Sequence, residues 1–342
     1  MTEFLLDYAS FFAKAITVVI AFGLIALIVV SAASRRGRDG GSTNLEVKHL
    51  NERYDAMRQA LQSVVLPKAE RKRLAKARKK EQKKLDKAPA PQDRRKIFVI
   101  DFEGDLRATG IDSLREEVTA VLTLAEPADE VVVRLENAGG VVHGHGLAAS
   151  QLARIRERGI ALSVIVDKVA ASGGYMMACV ANKIISAPFA IIGSIGVLAQ
   201  LPNFHRLLER YGVDFEQVMA GEYKRTVTLF GENTDADRRK LQADLEEIHT
   251  QFKAFITKYR PELDVERVAT GEHWHGEQAL ALGLIDELMT SDDYLMHAAE
   301  DADLYRVRYA VKSGLTDRLS SMFASAVGRT VDELSKRYQS GG

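Results

Sequence analysis

Three polar side chains have the types and the spacing for acyl transfer. Ser172 lies in Val-Ala-Ala-Ser-Gly-Gly-Tyr (169–175), directly after the β-branched run 162–167 and before an apolar stretch. This pattern predicts a serine between a strand and the first turn of a helix, where backbone N–H groups point toward the atom that the hydroxyl attacks. An acyl-transfer nucleophile needs that placement.

A serine hydroxyl needs a base that takes its proton, and Lys224 is the candidate. It lies in Gly-Glu-Tyr-Lys-Arg-Thr, outside any helical charge pattern, and no histidine has a sequence context that nominates it. A lysine acts as a general base only when it is neutral, a state that burial beside apolar groups favours. Ser194, the one hydroxyl in Ile-Ile-Gly-Ser-Ile-Gly-Val, is a candidate for orienting the lysine amine.

The negative oxygen of a tetrahedral intermediate needs amide donors. The strand-like run 131–135 is followed by Glu-Asn-Ala-Gly-Gly-Val (136–141). Paired glycines at a strand end let the backbone come close to a ligand. We therefore expect the amides of Gly140 and Gly173 to form the oxyanion hole.

Each of these features has an ordinary structural interpretation when it is taken alone. A serine before a helix is usually its N-cap, paired glycines usually form a simple turn, and Ser194 alone predicts a core hydroxyl. Only the combination of Ser172 with Lys224 and Ser194 favours catalysis.

Two histidine pairs, His143 with His145 and His273 with His275, raise the question of a metal site. No cysteine or acidic side chain recurs beside them at a ligand spacing, so a zinc site is weakly supported. We predict instead that they are polar loop residues near a substrate groove. The sequence also lacks a Gly-x-x-x-x-Gly-Lys-Ser/Thr loop for ATP. We predict an enzyme with no cofactor and no metal.

An ordered set of motifs resembles the signal peptide peptidase A family. In its size and single-domain layout, the chain is more similar to the SohB-type membrane serine peptidases of that family. The set comprises Asn-Ala-Gly-Gly, Ala-Ser-Gly-Gly-Tyr, Gly-Ser-Ile-Gly-Val, Tyr-Lys-Arg and the closing Gly-Glu-Gln-Ala-Leu-Ala-Leu-Gly-Leu-Ile-Asp, across residues 97–290. One departure is Ala138, where the family commonly has proline. The resemblance implies a ClpP/crotonase-like fold with a Ser/Lys dyad, in which Ser172 is the nucleophile, Lys224 the base and Ser194 the partner of the lysine. It also implies a ring-like homo-oligomer that binds extended apolar peptides.

The N-terminus is predicted to be a membrane anchor. No charge interrupts residues 15–33, a length that matches a hydrocarbon core. We interpret residues 1–34 as an uncleaved anchor in contact with membrane lipid, with a cleaved signal peptide as the alternative. Arg35, Arg36 and Arg38 would keep the body of the protein in the cytoplasm. The family resemblance implies a periplasmic catalytic domain on a single-pass protein of the bacterial inner membrane, and we expect this orientation.

Residues 35–95 are predicted to be a basic helical linker, with a helix over 43–66. Residues 68–87 contain eleven Lys or Arg, which would bind an anionic lipid surface or stay solvated. We predict no nucleic-acid partner, because no aromatic residues are interleaved and the net charge of the chain is zero.

The remaining chain alternates strand and helix signals, which predicts an α/β fold with a substantial parallel sheet. Predicted strands cover 96–101, 130–135, 162–167 and 183–186, and predicted helices cover 113–124, 147–158 and 234–260. With 342 residues, 46% of them hydrophobic, the chain can bury one large core. The single cysteine, Cys179, is expected to pack inside a helix. We assign 96–311 to the peptidase domain and 312–342 to an amphipathic tail.

These observations favour a membrane-anchored serine endopeptidase that cleaves peptide or protein substrates, such as membrane-derived, misfolded or signal peptides. Two alternatives remain. A crotonase-type acyl-CoA hydratase or isomerase shares the predicted fold, although it relies on carboxylates and needs no anchor. An inactive membrane scaffold would have the fold without turnover.

Overall fold

The computed structural model describes residues 44–85 and 94–310. The predicted anchor at 1–34 and the predicted tail at 312–342 lie outside these ranges. Within the described ranges, none of the helices combines the length and the apolar character needed to cross a bilayer.

A ten-stranded mixed sheet, mostly parallel, runs through the described residues. Its strands are β1 (Leu45–His49), β2 (Lys96–Gly104), β3 (Glu130–Asn137), β4 (Ala161–Val166), β5 (Val169–Ala171), β6 (Lys183–Ser186), β7 (Ile191–Gly193), β8 (His273–His275), β9 (Glu287–Leu288) and β10 (Asp303–Tyr309). The main order is β1-β10-β2-β3-β4-β6-β9, in which β1 alone is antiparallel to its neighbour. A short branch, β5-β7-β8, leaves the carboxyl end of β3 where Asn137 pairs with Ala170.

Helices connect and cover these strands, and the predicted α/β alternation is confirmed. They are α1 (Leu50–Val65), α2 (Lys68–Leu85), α3 (Ile111–Leu122), α4 (Val142–Glu157), α5 (Gly173–Ala178), α6 (His205–Arg210), α7 (Asp235–Tyr259), α8 (Val265–Val268), α9 (Gly276–Ala281) and α10 (Ser291–Asp301). The long helix α7 begins with a capping box, in which Thr234 and Asp237 satisfy each other's backbone N–H groups.

The helix predicted over 43–66 is wrong in its first part. Residues 45–49 form β1, which pairs antiparallel with β10, so that Val47 lies opposite Val307. The alternation Leu-Glu-Val-Lys is the period-two pattern of a half-buried edge strand. The sheet therefore begins inside the segment that was assigned to a linker.

The core lies on both faces of the parallel sheet. Val131, Val132 and Val133 of β3 are all fully buried, because successive side chains point to opposite, covered faces. One face packs mainly against α3 and α4, and the other against α1 and α10. Cys179 is buried as expected, but it lies directly after α5 rather than inside a helix, and burial raises the pKa of its thiol.

Candidate active site

Ser172 lies between the end of β5 and the start of α5, as the sequence predicts. Its backbone has φ 51° and ψ −117°, a conformation that a residue with a Cβ rarely adopts. The side chain occupies the N-cap position but makes no capping hydrogen bond. The structure therefore does not support the simple N-cap interpretation. Strain of this kind concentrates at functional sites.

Ser194 follows the neighbouring parallel strand, β7. Ala171 pairs with Gly193, and the Ser172 N–H donates to the Gly193 carbonyl oxygen at 2.7 Å. Ser194 also has a positive φ, 52°, and its N–H donates to the Glu272 carbonyl oxygen at 2.6 Å. The fold thus places two half-buried serines, each in a strained backbone conformation, at the ends of adjacent strands.

The predicted glycine turn lies directly against Ser172. The Asn137 Oδ1 atom accepts a hydrogen bond from the Gly139 N–H at 2.8 Å. A Cβ atom on Gly139 would lie 2.7 Å from the Cβ of Ser172 and 2.9 Å from the amide nitrogen of Gly173. Only glycine allows this approach.

The Gly140 amide is the free donor of this turn. Gly140 has φ 157°, and a Cβ there would lie 2.2 Å from the Leu106 carbonyl oxygen. The amides on either side are already used, because Gly139 donates to Asn137 and Val141 donates to Leu106. In the part of the chain that the structure describes, the Gly140 N–H has no acceptor. This geometry suits the oxyanion role expected of Gly140.

Lys224 lies in an exposed turn, whereas the two serines are half-buried at strand ends. Its N–H donates to the Gly221 carbonyl oxygen at 3.2 Å. Across residues 44–85 and 94–310, no hydrogen bond or ion pair involves its ammonium group. The described residues therefore leave Lys224 without the burial that a neutral lysine requires.

The segment around Lys224, residues 197–233, is rich in exposed apolar side chains, and we call it the arm. Phe230 packs near Phe204 and Phe215, with ring centroids 6.1 and 5.8 Å apart. A large exposed apolar patch of this kind marks an interaction surface. The exposed large hydrophobic residues of the arm are Leu198, Leu201, Phe204, Leu207, Tyr211, Val213, Phe215, Val218, Met219, Tyr223 and Phe230.

The histidines differ from the predicted loop residues. His143 and His145 lie in α4, where His143 is exposed and His145 is fully buried. The ring of His145 contacts Asn137, so the two residues belong to the site although the motifs did not nominate them. The position of Asn137 at a strand end, just before the glycines, is the signal that points to it. No three potential ligands among His, Cys, Asp and Glu are grouped for a metal within the described ranges.

The closing motif ends in Asp286, whose role here is structural. The Arg260 guanidinium donates to both carboxylate oxygens of Asp286, at 2.7 and 2.8 Å, and the Ile184 N–H donates at 2.7 Å. Burial opposes ionisation of this carboxyl group, but the hydrogen bonds from Arg260 and Ile184 lower its pKa below the usual value. The pair ties the end of α7 to the sheet.

Similarity to known proteins extends over the whole site. Residues 3–152 match "Peptidase family S49 N-terminal" and residues 154–305 match "Peptidase family S49". The chain is 45% identical over 325 residues to "Probable protease SohB" of Haemophilus influenzae, covering 92% of each chain. It is 44% identical over 304 residues to "Probable protease SohB" of Buchnera aphidicola subsp. Schlechtendalia chinensis, covering 86% of this chain and 99% of the relative. A solved structure, a lysine-to-alanine mutant of the 1510-N membrane-bound stomatin-specific protease in complex with a substrate peptide, has a TM-score of 0.43 at 15% identity, covering 68% of this chain and 100% of that one.

Proposed function

Because the chain belongs to peptidase family S49, we propose that it is a membrane-anchored serine endopeptidase with a Ser172/Lys224 dyad. Family membership makes the chain a serine-type peptidase, which disfavours the hydratase alternative. The strained Ser172 beside the glycine turn carries the assignment of the nucleophile. We also assign the parallel sheet, with its β5-β7-β8 branch at the nucleophile, to the ClpP/crotonase-like fold.

The proposed reaction follows from these positions. Neutral Lys224 takes the proton of the Ser172 hydroxyl, and the serine oxygen attacks the peptide carbonyl carbon. The amides of Gly140 and Gly173 hold the resulting oxyanion. The Lys224 ammonium then gives its proton to the leaving amine as the C–N bond breaks. Water hydrolyses the acyl-enzyme with Lys224 again acting as the base, and Ser194 orients the lysine amine throughout.

Assembly supplies the burial that Lys224 lacks in the single chain. The arm exposes Val218 almost completely and Tyr211 by three quarters, which is unfavourable unless another surface covers them. A second copy of the chain on this surface would also exclude water from the Lys224 amine, and desolvation favours its neutral form. A homo-oligomer is therefore part of the proposed active form.

The membrane anchor and the side of the membrane remain proposals, since residues 15–33 lie outside the described ranges. Their uncharged, mostly apolar run supports an anchor in the inner membrane. We place the peptidase domain in the periplasm, where membrane-derived or signal peptides are the expected substrates. Alkaline phosphatase fused after Gly342 should then be active, and a green fluorescent protein fused there should be dark. The reverse pattern would place the domain in the cytoplasm.

The decisive test of the function is replacement of the nucleophile. Ser172→Ala should lower peptide hydrolysis by about 10⁴-fold or more, because the attacking atom is removed. Labelling by a fluorophosphonate probe should disappear, while the thermal midpoint stays near that of the wild type. A hydratase or an inactive scaffold would show neither Ser172-dependent hydrolysis nor labelling in the wild-type protein.

A further inference from the structure

His145 is a fully buried polar side chain with an oxygen atom facing each ring nitrogen. Its Nδ1 lies 3.0 Å from the Val141 carbonyl oxygen, and its Nε2 lies 3.2 Å from the Asn137 Oδ1 atom. The orientation of the Asn137 amide is determined by the Gly139 N–H, which donates to Oδ1 at 2.8 Å. The Nε2 atom of His145 therefore faces an acceptor, as Nδ1 does, and a neutral imidazole, which has a single N–H, donates to only one of the two oxygens.

The same ring lies against the start of the nucleophile helix. A Cβ atom on Gly173 would lie only 2.4 Å from the Cγ atom of His145, so the ring packs directly on the glycine backbone. On its other side, the ring is bonded to Asn137 and contacts Val141, the two ends of the glycine turn. One buried side chain thus contacts both backbone segments that carry the proposed oxyanion amides.

We propose that His145 is a positioning residue that holds the Gly140 amide and the Gly173 amide at the separation the oxyanion needs. This inference rests on the proposed peptidase function. Two donors stabilise a developing charge only when both are already aimed at it, and small misplacements reduce the rate of the chemical step. The link to Asn137 matters most, because Oδ1 of Asn137 also holds the Gly139 amide and so sets the shape of the turn.

The first test compares two histidines of the same helix. His145→Phe keeps a ring of similar size but removes both ring nitrogens and with them the donated hydrogen bond, and kcat should fall by about 10- to 100-fold while KM changes by about twofold or less. The rate of fluorophosphonate labelling at Ser172 should fall in parallel. His143→Phe, at an exposed position, is the matched control and should retain the wild-type kcat. A wild-type kcat for a folded His145→Phe variant would overturn the inference.

A second pair of variants separates the two ring contacts and does not depend on the folding of His145→Phe. His145→Gln keeps a donor near the Nε2 position, facing Asn137, whereas His145→Asn keeps one near Nδ1, facing Val141. His145→Gln should keep kcat within about threefold of wild type, and His145→Asn should resemble the phenylalanine variant. Equal rates for the two, or a faster His145→Asn, would overturn the role assigned to the link with Asn137.

Failure of this inference is distinguishable from failure of the proposed function. If hydrolysis persisted in Ser172→Ala, the proposed serine peptidase function itself would be wrong. Hydrolysis that depends on Ser172 but is indifferent to His145 would leave the function in place and remove only the positioning role.

Discussion

The two halves of the proposed dyad lie in regions with opposite physical character. Around Ser172 the chain is packed so closely that Gly139, Gly140 and Gly173 cannot carry a side chain without a clash. Around Lys224 the arm leaves large apolar side chains in water. The difference teaches that the core of one chain preorganises the proposed nucleophile and amides, whereas the proposed base lies on an exposed surface.

The packed region can maintain a strained backbone conformation, which the exposed arm could not. A backbone conformation such as that of Ser172 costs about 1–3 kcal/mol, and it persists only where the surroundings determine it. All six residues of α5 are buried directly after Ser172 and supply that constraint. The arm contains one short helix, α6, and none of the residues of α6 is buried.

After replacement of Ser172 itself, the largest expected effect comes from the exposed half of the proposed dyad. Lys224→Arg should lower hydrolysis by about 10³-fold, nearly as much as Lys224→Ala, because arginine cannot give up its proton at working pH. Initial rates for both variants across the pH range are the measurement. Arg225→Lys, at the adjacent position, is the matched control and should keep a rate near that of the wild type. If Lys224→Arg retained most of the wild-type rate, Lys224 would be an electrostatic or structural residue and not the base.

Ser194 connects the two regions, because it lies in the packed half and is proposed to orient the lysine amine. Ser194→Ala should lower kcat by about 10- to 1,000-fold through the loss of one orienting hydrogen bond. Labelling of Ser172 should slow without disappearing. Wild-type rates at every pH would leave Ser194 as a core hydroxyl and reduce the mechanism to a bare dyad.

A substitution on the surface of the arm can weaken assembly without changing the packed region. Val218→Asp places a charge on a side chain that is 97% exposed in the single chain, so folding should be unaffected. Assembly should weaken, and hydrolysis should fall by about tenfold at a protein concentration where the wild type is assembled. Sedimentation velocity and peptide hydrolysis measure the two effects. Val64→Asp, 85% exposed on α1, is the matched control. If both the oligomeric state and the rate of hydrolysis were unchanged in Val218→Asp, this part of the arm would not belong to the interface between copies of the chain.

The smallest expected effect concerns stability in the packed region. Asp286→Asn should cost about 1 kcal/mol at pH 7, a modest value because the ion pair with Arg260 is partly solvated. The pKa of Asp286 is lowered on folding, so its contribution is present above the unfolded pKa and is lost as the pH falls through the folded value. The free energies of unfolding of the wild type and Asp286→Asn, measured in urea, should therefore differ less at pH 3 than at pH 7. Glu46→Gln, in an exposed pair with Lys48, should show little difference at either pH.

Much of the packed region was predictable because its signals are local. Continuous β-branched, apolar runs and strand–helix alternation predict the parallel strands, and the residue types at their ends nominate Ser172, Ser194 and the glycine turn. His145 was misassigned to a polar loop, because its burial depends on how α4 packs against the end of β3 and the start of α5. The edge strand 45–49 was assigned to a helix, since its partner, Asp303–Tyr309, is far away in the chain.

The sequence by itself determined the fold class, the family and the set of candidate catalytic residues, because these depend on residue types, order and periodicity. Only the tertiary structure decided which of these candidate residues lie close together. It brings Ser172 beside Ser194 through the pairing of β5 with β7, places Asn137 and His145 against the glycine turn, and leaves Lys224 on an exposed arm. Contacts between residues far apart in the chain depend on packing and burial, which local periodicity does not encode.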